Sequence, residues 1–133
     1  MSALGFIIDT SVLIEIEKMN KHVLSKLAEF SLISEDIFIT SPTYTEFCFG
    51  LLKVSKEKLG SEKYRLDKYK LLNTTDKSSM ILAEIKHYLS KKGIMIPIFD
   101  LFIASIAMDT KMPLVTLDKD FKKIPGLDAI LVE

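Results

Sequence analysis

Short apolar runs alternate along this chain with longer segments whose apolar residues recur at helical spacing. The runs are rich in isoleucine, leucine and valine, and they cover residues 4–8, 37–39, 71–72, 113–116 and 129–132. Runs of this length and composition predict buried strands, and the segments between them predict amphipathic helices. Strands that alternate with helices favour an α/β fold with a mainly parallel central sheet flanked by helices.

Several helix ends can be predicted from single residues. Asp9-Thr10-Ser11 predicts a helix start directly after the first strand, because all three residue types cap helices well. Ser41-Pro42 predicts an N-cap followed by the first helical residue, where the missing proline N–H costs nothing. Gly93 closes a predicted helix over 76–92. The remaining predicted helices cover residues 21–31, 61–69 and 100–109, while 94–99, interrupted by Pro97, predicts a loop or edge segment.

Length and composition predict one domain over residues 1–133. Hydrophobic residues make up 48% of the chain and charged residues 27%, which argues against disorder. The single cysteine, Cys48, cannot form an intrachain disulfide, so we expect a reducing, cytoplasmic setting. The longest uncharged runs fall far short of the ~20 residues that a membrane span needs. We therefore expect no membrane association.

The charge balance constrains the partners of the chain. Eighteen Lys plus Arg residues offset eighteen Asp plus Glu residues. A protein that coats DNA or RNA without sequence preference would show a basic excess, so that class is disfavoured. A nucleic-acid enzyme is still compatible, because net charge does not report where the charges lie.

Four acidic residues occupy corresponding places in the predicted elements. Asp9 and Asp118 directly follow predicted strands, while Glu46 and Asp100 lie in the first turns of predicted apolar helices. Ligands of open α/β sheets bind beyond the carboxyl ends of the strands, where such positions can converge. Taken singly, each acid has a simpler explanation as a helix cap, a turn former or a solvated helix residue. Taken together, their apolar flanks favour a clustered site.

Clustered carboxylates repel one another and stay ionised only when a cation lies between them. Oxygen ligands without His or Cys suit Mg²⁺ or Mn²⁺ rather than zinc. A site of this kind is suited to phosphodiester hydrolysis, because bound cations lower the pKa of a water and steady the attacking and leaving oxygens. The four acids therefore indicate metal-assisted hydrolysis.

The ordered set of these motifs resembles the PIN-domain ribonucleases, and most closely the small VapC-type toxins of prokaryotic toxin–antitoxin pairs. The matching segments are IIDTSVLI at 7–14, TYTE at 43–46, FDLFIASIA at 99–107 and LVTLDKDF at 114–121. They run in the family's order, and the resemblance spans about residues 6 to 132. The resemblance implies a three-layer PIN-like fold and a metal-dependent endoribonuclease.

By this resemblance, Asp9, Glu46, Asp100 and Asp118 form the catalytic acidic quartet that binds Mg²⁺ or Mn²⁺. Asp9 and Asp100 are the most strongly indicated direct ligands. Ser11 and Thr116 match positions where the family keeps a hydroxyl or amide beside the metal. The fourth motif departs from the common pattern, in which Asn often stands where this chain has Asp118. Either Asp118 or Asp120 can therefore face the metal, and we favour Asp118, with Asp120 in a supporting position.

Two further features concern partners. Residues 53–77 hold eight Lys or Arg and four Asp or Glu, most simply a solvated helix face. Some of them can instead guide an RNA backbone, and Arg65, the only arginine, is a candidate phosphate contact. Phe47, Phe49 and neighbouring apolar residues up to Val54 exceed what one helix face can bury. Together with the resemblance, this excess predicts a homodimer or a surface for an antitoxin protein.

The acidic quartet thus predicts metal-assisted hydrolysis, and the family resemblance implies a ribonuclease that acts as the toxin of a type II toxin–antitoxin pair. One alternative is an RNA-maturation nuclease of the same fold that has no antitoxin. Another is a non-catalytic module that binds metal or RNA. A phosphoacceptor receiver domain is disfavoured, because Asp9-Thr10-Ser11 lacks the paired acids that receivers need. With four acids committed to a pocket, the other residues carry 18 bases against 14 acids, a mildly basic exterior that suits an RNA substrate.

Overall fold

The computed structural model describes residues 5–31 and 36–133 of the chain. Five strands lie within them: β1 (Gly5–Ile8), β2 (Asp36–Thr40), β3 (Lys70–Leu72), β4 (Leu114–Thr116) and β5 (Ala129–Leu131). The α-helices are α1 (Thr10–Glu17), α2 (Lys21–Ser31), α3 (Ser41–Leu52), α4 (Lys56–Glu62), α5 (Asp76–Lys92) and α6 (Ile98–Thr110). Short 3₁₀ helices cover Lys63–Leu66 and Lys119–Lys123. Position 4, predicted as the first strand residue, lies outside the described residues.

The strands form one five-stranded sheet in the order β3-β2-β1-β4-β5, and every neighbouring pair is parallel. This confirms the predicted α/β fold. The central strand β1 is followed in sequence by β2 on one side, and its neighbour on the other side is β4. The order of the strands therefore reverses between β1 and β4, which is where open α/β sheets place their ligands.

Two hydrophobic cores, one on each face of the sheet, give the molecule three layers. Side chains alternate along a strand, so Ile7 packs toward α5 and α6 while Phe6 and Ile8 pack toward α1 and α2. Parallel strands covered on both faces read as continuous apolar runs, which explains why β1 carries no polar residue. The two cores hold the carboxyl ends of β1 and β4 in fixed positions.

Two predicted helix starts are wrong by one or two residues. Thr40, not Ser41, is the N-cap of α3, since the Thr40 hydroxyl accepts from the Thr43 N–H and Ser41 is already helical. Helix α6 begins at Ile98 rather than at Asp100, with Pro97 in the cap position. No side chain of the described residues caps α6, and Asp100 lies inside the helix as its third residue rather than in the cap position.

The predicted helix over 61–69 is also wrong. Helix α4 starts five residues earlier, after Ser55, whose hydroxyl accepts from the Lys58 N–H, and it passes through Gly60 before giving way to the 3₁₀ helix. A glycine in an exposed helix costs only about 1 kcal/mol relative to alanine. A good N-cap therefore overrides the glycine signal, and the buried Leu66 anchors the 3₁₀ helix that follows.

The strand and helix predicted after this region are confirmed. Residues 71–72 lie in β3, and α5 covers the predicted span and ends at Gly93, whose φ of 69° is the left-handed conformation that glycine adopts readily. Of the irregular segment predicted over 94–99, residues 94–97 are irregular, whereas Ile98 and Phe99 belong to α6. No helix within the described residues is long and apolar enough to cross a membrane.

Candidate active site

The carboxyl ends of β1 and β4 bring Asp9 and Asp118 to the point where the strand order reverses. Ile8 is the register partner of Val115, so Asp9 and Thr116 end neighbouring strands, and the Asp9 N–H donates to the Val115 carbonyl at 3.2 Å. Asp118 follows β4 two residues later and begins the 3₁₀ helix over Lys119–Lys123. The predicted pair of strand-end acids therefore shares one edge of the sheet.

Asp9 is buried, with 3% of its surface exposed, and both of its carboxylate oxygens accept hydrogen bonds. Oδ1 accepts from the Ser11 hydroxyl at 2.7 Å and from the Val12 N–H at 3.1 Å, while Oδ2 accepts from the Thr116 hydroxyl at 2.6 Å. Burial raises the pKa of Asp9, and these hydrogen bonds oppose the rise. Asp9 thus caps α1 and is also one of the acids of the candidate active site.

The predicted supporting hydroxyls lie in contact with Asp9 and join it to the loop after β4. Thr116 Oγ1 accepts from the Asp118 N–H at 2.9 Å, and Ser11 Oγ accepts from the Leu117 N–H at 3.2 Å. Thr116 is fully buried. The carboxylate of Asp9 and the backbone at Asp118 are therefore fixed relative to each other through two side-chain oxygens.

Glu46, the sixth residue of α3, is held by a hydroxyl from α1. The Thr10 hydroxyl donates to Glu46 Oε1 at 2.5 Å and lies 3.1 Å from Thr43 Oγ1. Sequence reasoning named Glu46 but not Thr10 or Thr43 as functional residues. The only sequence signal was the position of these threonines inside the two matched motifs, one residue after Asp9 and three residues before Glu46.

Asp100, in the first turn of α6, is the carboxylate that the other acids crowd most. Its half-buried position, together with the charges of Glu46, Asp118, Asp9 and Asp120 in decreasing order, raises its pKa to about 6. Within the described residues its side chain has neither a hydrogen-bond donor nor an ion-pair partner. The structure therefore brings all four predicted acids into electrostatic contact, and Asp100 is the member without compensation.

Asp118 and Asp120 differ in their surroundings. Asp118 Oδ1 accepts from the Asp120 N–H at 2.9 Å, and Asp118 repels both Asp9 and Asp100. The carboxylate of Asp120 instead pairs with Lys123 at 3.0 Å on the surface, and its effect on Asp100 is weaker. This arrangement favours Asp118 over Asp120 as the acid that faces the site.

The carboxylates are close enough to perturb one another but do not form a closed cluster. Over residues 5–31 and 36–133, no group of three or more His, Cys, Asp or Glu side chains is arranged to hold a metal ion as it stands. Asp9 and Glu46 are instead oriented by threonine and serine hydroxyls. Binding of one cation by several of these acids requires side-chain rotation toward the crowded position of Asp100.

Arg65, the candidate phosphate contact, lies near the opposite end of α1 from Thr10. Its guanidinium donates to Glu62 Oε1 at 3.1 Å and to Glu17 Oε1 at 3.4 Å. Glu17 also accepts from Tyr69 at 2.9 Å and pairs with Lys68 at 2.9 Å. These contacts give Arg65 a structural role that joins α1 to the segment after α4, and a contact with RNA stays a prediction.

The chemistry of the site follows from its donor set. Its acids supply carboxylate oxygens without any sulfur or imidazole, which is the ligand set that Mg²⁺ and Mn²⁺ prefer. The uncompensated repulsion at Asp100 is relieved by a divalent cation more effectively than by a single proton. The residues present therefore fit a hard divalent cation.

Comparison with known proteins adds to this geometry. The sequence profile of the PIN domain family matches residues 6–127. Ribonuclease VapC of Rickettsia bellii is 29% identical over 136 residues, covering 97% of each chain, and Ribonuclease VapC3 of Methanocaldococcus jannaschii is 38% identical over 100 residues, covering 75% of this chain and 95% of the relative. The crystal structure of VapBC2 from Rickettsia felis, bound to a DNA fragment from their promoter, contains a chain that superimposes with a TM-score of 0.85 at 25% identity, covering 96% of this chain and 98% of that one.

Proposed function

The chain belongs to the PIN-domain family, in its VapC-type branch, and on that premise we propose that it is a metal-dependent endoribonuclease that acts as the toxin of a type II toxin–antitoxin pair. The family match covers most of the chain, and the chain covers nearly all of each of the VapC relatives. The names of those relatives support ribonuclease activity, and the resemblance of the motif set supports the acidic quartet as its centre.

The single observation that carries the proposal is the state of Asp100. A half-buried carboxylate whose pKa is raised to about 6, and which four other acids repel, has no structural purpose that an asparagine would not serve better. Its neighbours on the sheet edge are also acidic rather than basic. Such an arrangement is expected at a functional site, where an external cation supplies the missing charge.

Asp9 and Asp100 are the proposed direct ligands of Mg²⁺ or Mn²⁺, with Glu46 and Asp118 completing the set. When bound, the cation lowers the pKa of a coordinated water and stabilises the charge that develops on the phosphate. The chain's own residues orient the ligands: Ser11 and Thr116 fix Asp9, and the backbone N–H of Asp120 fixes Asp118. No side chain has to form a covalent intermediate in this chemistry.

An RNA cleavage assay with end mapping tests this proposal. We expect structured RNA to be cut in Mg²⁺ or Mn²⁺ and not in EDTA. We expect Asp100→Asn to reduce the rate by about 100-fold or more, because even residues that only hydrogen-bond a metal ligand typically change activity 10- to 100-fold. Asp109→Asn, on the same helix but at its far end, is the matched control and should retain activity. Cleavage that survives both EDTA and Asp100→Asn would contradict the mechanism.

Growth on expression separates the toxin from an RNA-maturation nuclease. A toxin expressed without its antitoxin is expected to arrest growth, and Asp100→Asn is expected to relieve the arrest. Normal growth with full cleavage activity in vitro would favour the maturation nuclease. Metal binding without cleavage would favour the non-catalytic module.

A homodimer is proposed from the apolar surface that α3 leaves exposed. Phe49 and Leu52, near the carboxyl end of that helix, are 61% and 44% exposed, and Val54, two residues beyond it, is 70% exposed. A cleft of about 510 Å³ joins Phe49 to Ile98 and Phe99 at the start of α6. Exposed apolar surface of this extent is typical of a protein interface. Light scattering on the purified chain should report twice the monomer mass of 15.1 kDa, and Phe49→Glu should reduce it.

A further inference from the structure

Three threonine hydroxyls form a continuous chain behind the Glu46 carboxylate. Thr40 Oγ1 lies 3.3 Å from Thr43 Oγ1, which lies 3.1 Å from Thr10 Oγ1, which in turn lies 2.5 Å from Glu46 Oε1. Thr40 and Thr43 are completely buried. These hydroxyls come from the end of β2, the first turn of α3 and the first residue of α1, three backbone positions that the core holds fixed.

The direction of this chain is set by the number of protons available. A carboxylate only accepts hydrogen bonds, and each hydroxyl has one proton to donate. Thr10 therefore donates to Glu46, Thr43 donates to Thr10, and Thr40 donates to Thr43, while the Thr43 N–H donates to Thr40 Oγ1 at 3.4 Å. The short Thr10–Glu46 distance is typical of a hydroxyl that donates to a charged oxygen. Each of the three threonine hydroxyl protons is thus donated in the direction of Glu46.

Only one oxygen of Glu46 accepts a hydrogen bond from this row of hydroxyls. Within residues 5–31 and 36–133, Glu46 Oε2 has neither a hydrogen bond nor an ion pair, and Glu46 exerts the strongest of the charge effects on Asp100. The hydroxyls therefore anchor Oε1 and leave Oε2 available to a ligand. A glutamate without such an anchor would distribute its carboxylate over several rotamers.

We infer that Thr10, supported by Thr43, is a positioning residue that orients Glu46 for cation binding. This inference rests on the proposed function, because it takes Glu46 to be a ligand. Hydroxyls that hydrogen-bond a ligand typically affect metal affinity or activity by 10- to 100-fold without touching the metal. Thr10 lies in α1 and Thr43 in α3, so their contact also makes the position of Glu46 depend on how these two helices pack.

The test is Mn²⁺ affinity, measured by electron paramagnetic resonance or calorimetry on the full chain without RNA. Thr10→Val keeps the shape of the side chain and removes the hydroxyl, and we expect Mn²⁺ to bind 10- to 100-fold more weakly. Thr10→Ser should restore the affinity to within a few-fold of the original, and Thr43→Val should cause a smaller loss. Thr110→Val is the matched control, because its partly buried hydroxyl bonds only helix carbonyls at the far end of α6.

A double-mutant cycle separates positioning from a purely structural role. If Thr10 acts through Glu46, Thr10→Val should cause no further loss of Mn²⁺ affinity once Glu46→Gln is present. An unchanged affinity in Thr10→Val, or an equal loss with and without Glu46, overturns the inference. Thr10→Ala carries the same expectation should the valine variant fail to fold by circular dichroism.

The two proposals fail in different ways. If the wild-type chain binds Mn²⁺ and cleaves RNA, and Thr10→Val does both equally well, the positioning role is overturned and the ribonuclease proposal stands. A wild-type chain that neither binds Mn²⁺ nor cleaves RNA would overturn both.

Discussion

Replacing Asp100 by asparagine should stabilise the folded protein at neutral and alkaline pH when no divalent cation is present. The Asp100 carboxyl has a pKa of about 6 in the folded chain against an ordinary value of 3.8. Its charged form is therefore disfavoured by the fold, chiefly through burial and through repulsion by Glu46. Asparagine keeps the size of the side chain and removes the charge.

The magnitude follows from the two pKa values. A difference of that size corresponds to about 3 kcal/mol, since each pKa unit is worth about 1.4 kcal/mol. Because Asp100 is only half-buried, solvent screening reduces this to about 1–2 kcal/mol. In a chain of this length, that gain raises the melting temperature by roughly 4–8 °C.

The pH dependence of unfolding shows which of the two proteins should be more stable. The folded state binds its proton more tightly than the unfolded state, so the stability of the wild type should fall as pH rises from about 4 to about 6. Asp100→Asn should lack this fall, so the two proteins should be equally stable near pH 3.5 and differ most above pH 7. Urea unfolding in EDTA across this range measures the difference.

Saturating Mg²⁺ should then reverse the order, because a ligand that binds only the folded state adds stability to the wild type. Asp109→Asn is the control: Asp109 accepts from the Thr75 hydroxyl at 2.7 Å, so that variant should be slightly less stable than the wild type and should not become more stable in EDTA. An Asp100→Asn variant that is less stable than the wild type at pH 8 in EDTA would refute the reasoning.

Three further predictions concern the residues that hold the fold and the site. Thr116→Val should lower the free energy of unfolding in urea by about 1–3 kcal/mol, because it leaves the buried Asp9 Oδ2 without its hydrogen-bond donor. It should also weaken Mn²⁺ binding. A loss of stability with unchanged Mn²⁺ binding would show that Thr116 supports only the fold. Burial raises the pKa of Glu17, but its hydrogen bonds and the charge of Lys68 outweigh this and lower the pKa below the ordinary value of 4.5. The stability that these contacts provide should therefore be present above pH 4.5 and be lost as pH falls below it. Glu17→Gln should flatten this loss of stability at acid pH, and an unchanged loss would contradict the role given to Glu17. Gly93→Ala should cost about 1 kcal/mol by thermal unfolding, because alanine is strained at a φ of 69°, and a cost near zero would show that the helix end rearranges.

The structure settled several points that local patterns could not decide. Gly60 and Pro97 are strong local signals, yet α4 passes through the first and α6 begins directly after the second. Helix α4 is stabilised by its Ser55 N-cap, whereas α6 is stabilised by burial of its apolar residues against α5, and burial of this kind leaves no local signature. The apolar residues from Phe47 to Val54 were expected to exceed what one helix face can bury, and only the structure shows that Phe49, Leu52 and Val54 are the ones left exposed.

Sequence reasoning selected four acids that the structure brings close together, because each stands next to residues that have to be buried. It could not foresee the contacts that orient them. The threonine chain from Thr40 to Glu46 joins residues separated by up to 36 positions, and the bond between Thr116 and Asp9 spans 107 positions. Hydroxyls are common along any chain, and only proximity gives a particular one a role.

The sequence by itself thus determined the alternation of strands and helices, the parallel sheet and the identity of the crowded acids, because these follow from local periodicity and from the rule that parallel strands present their carboxyl ends on one edge. Tertiary structure alone decided that Asp100 is the uncompensated carboxylate, that Arg65 is engaged with Glu17 and Glu62, and that Thr10 holds Glu46. The reason is physical: a pKa, an ion pair or a hydrogen bond depends on distances of a few ångströms between residues that the chain places far apart.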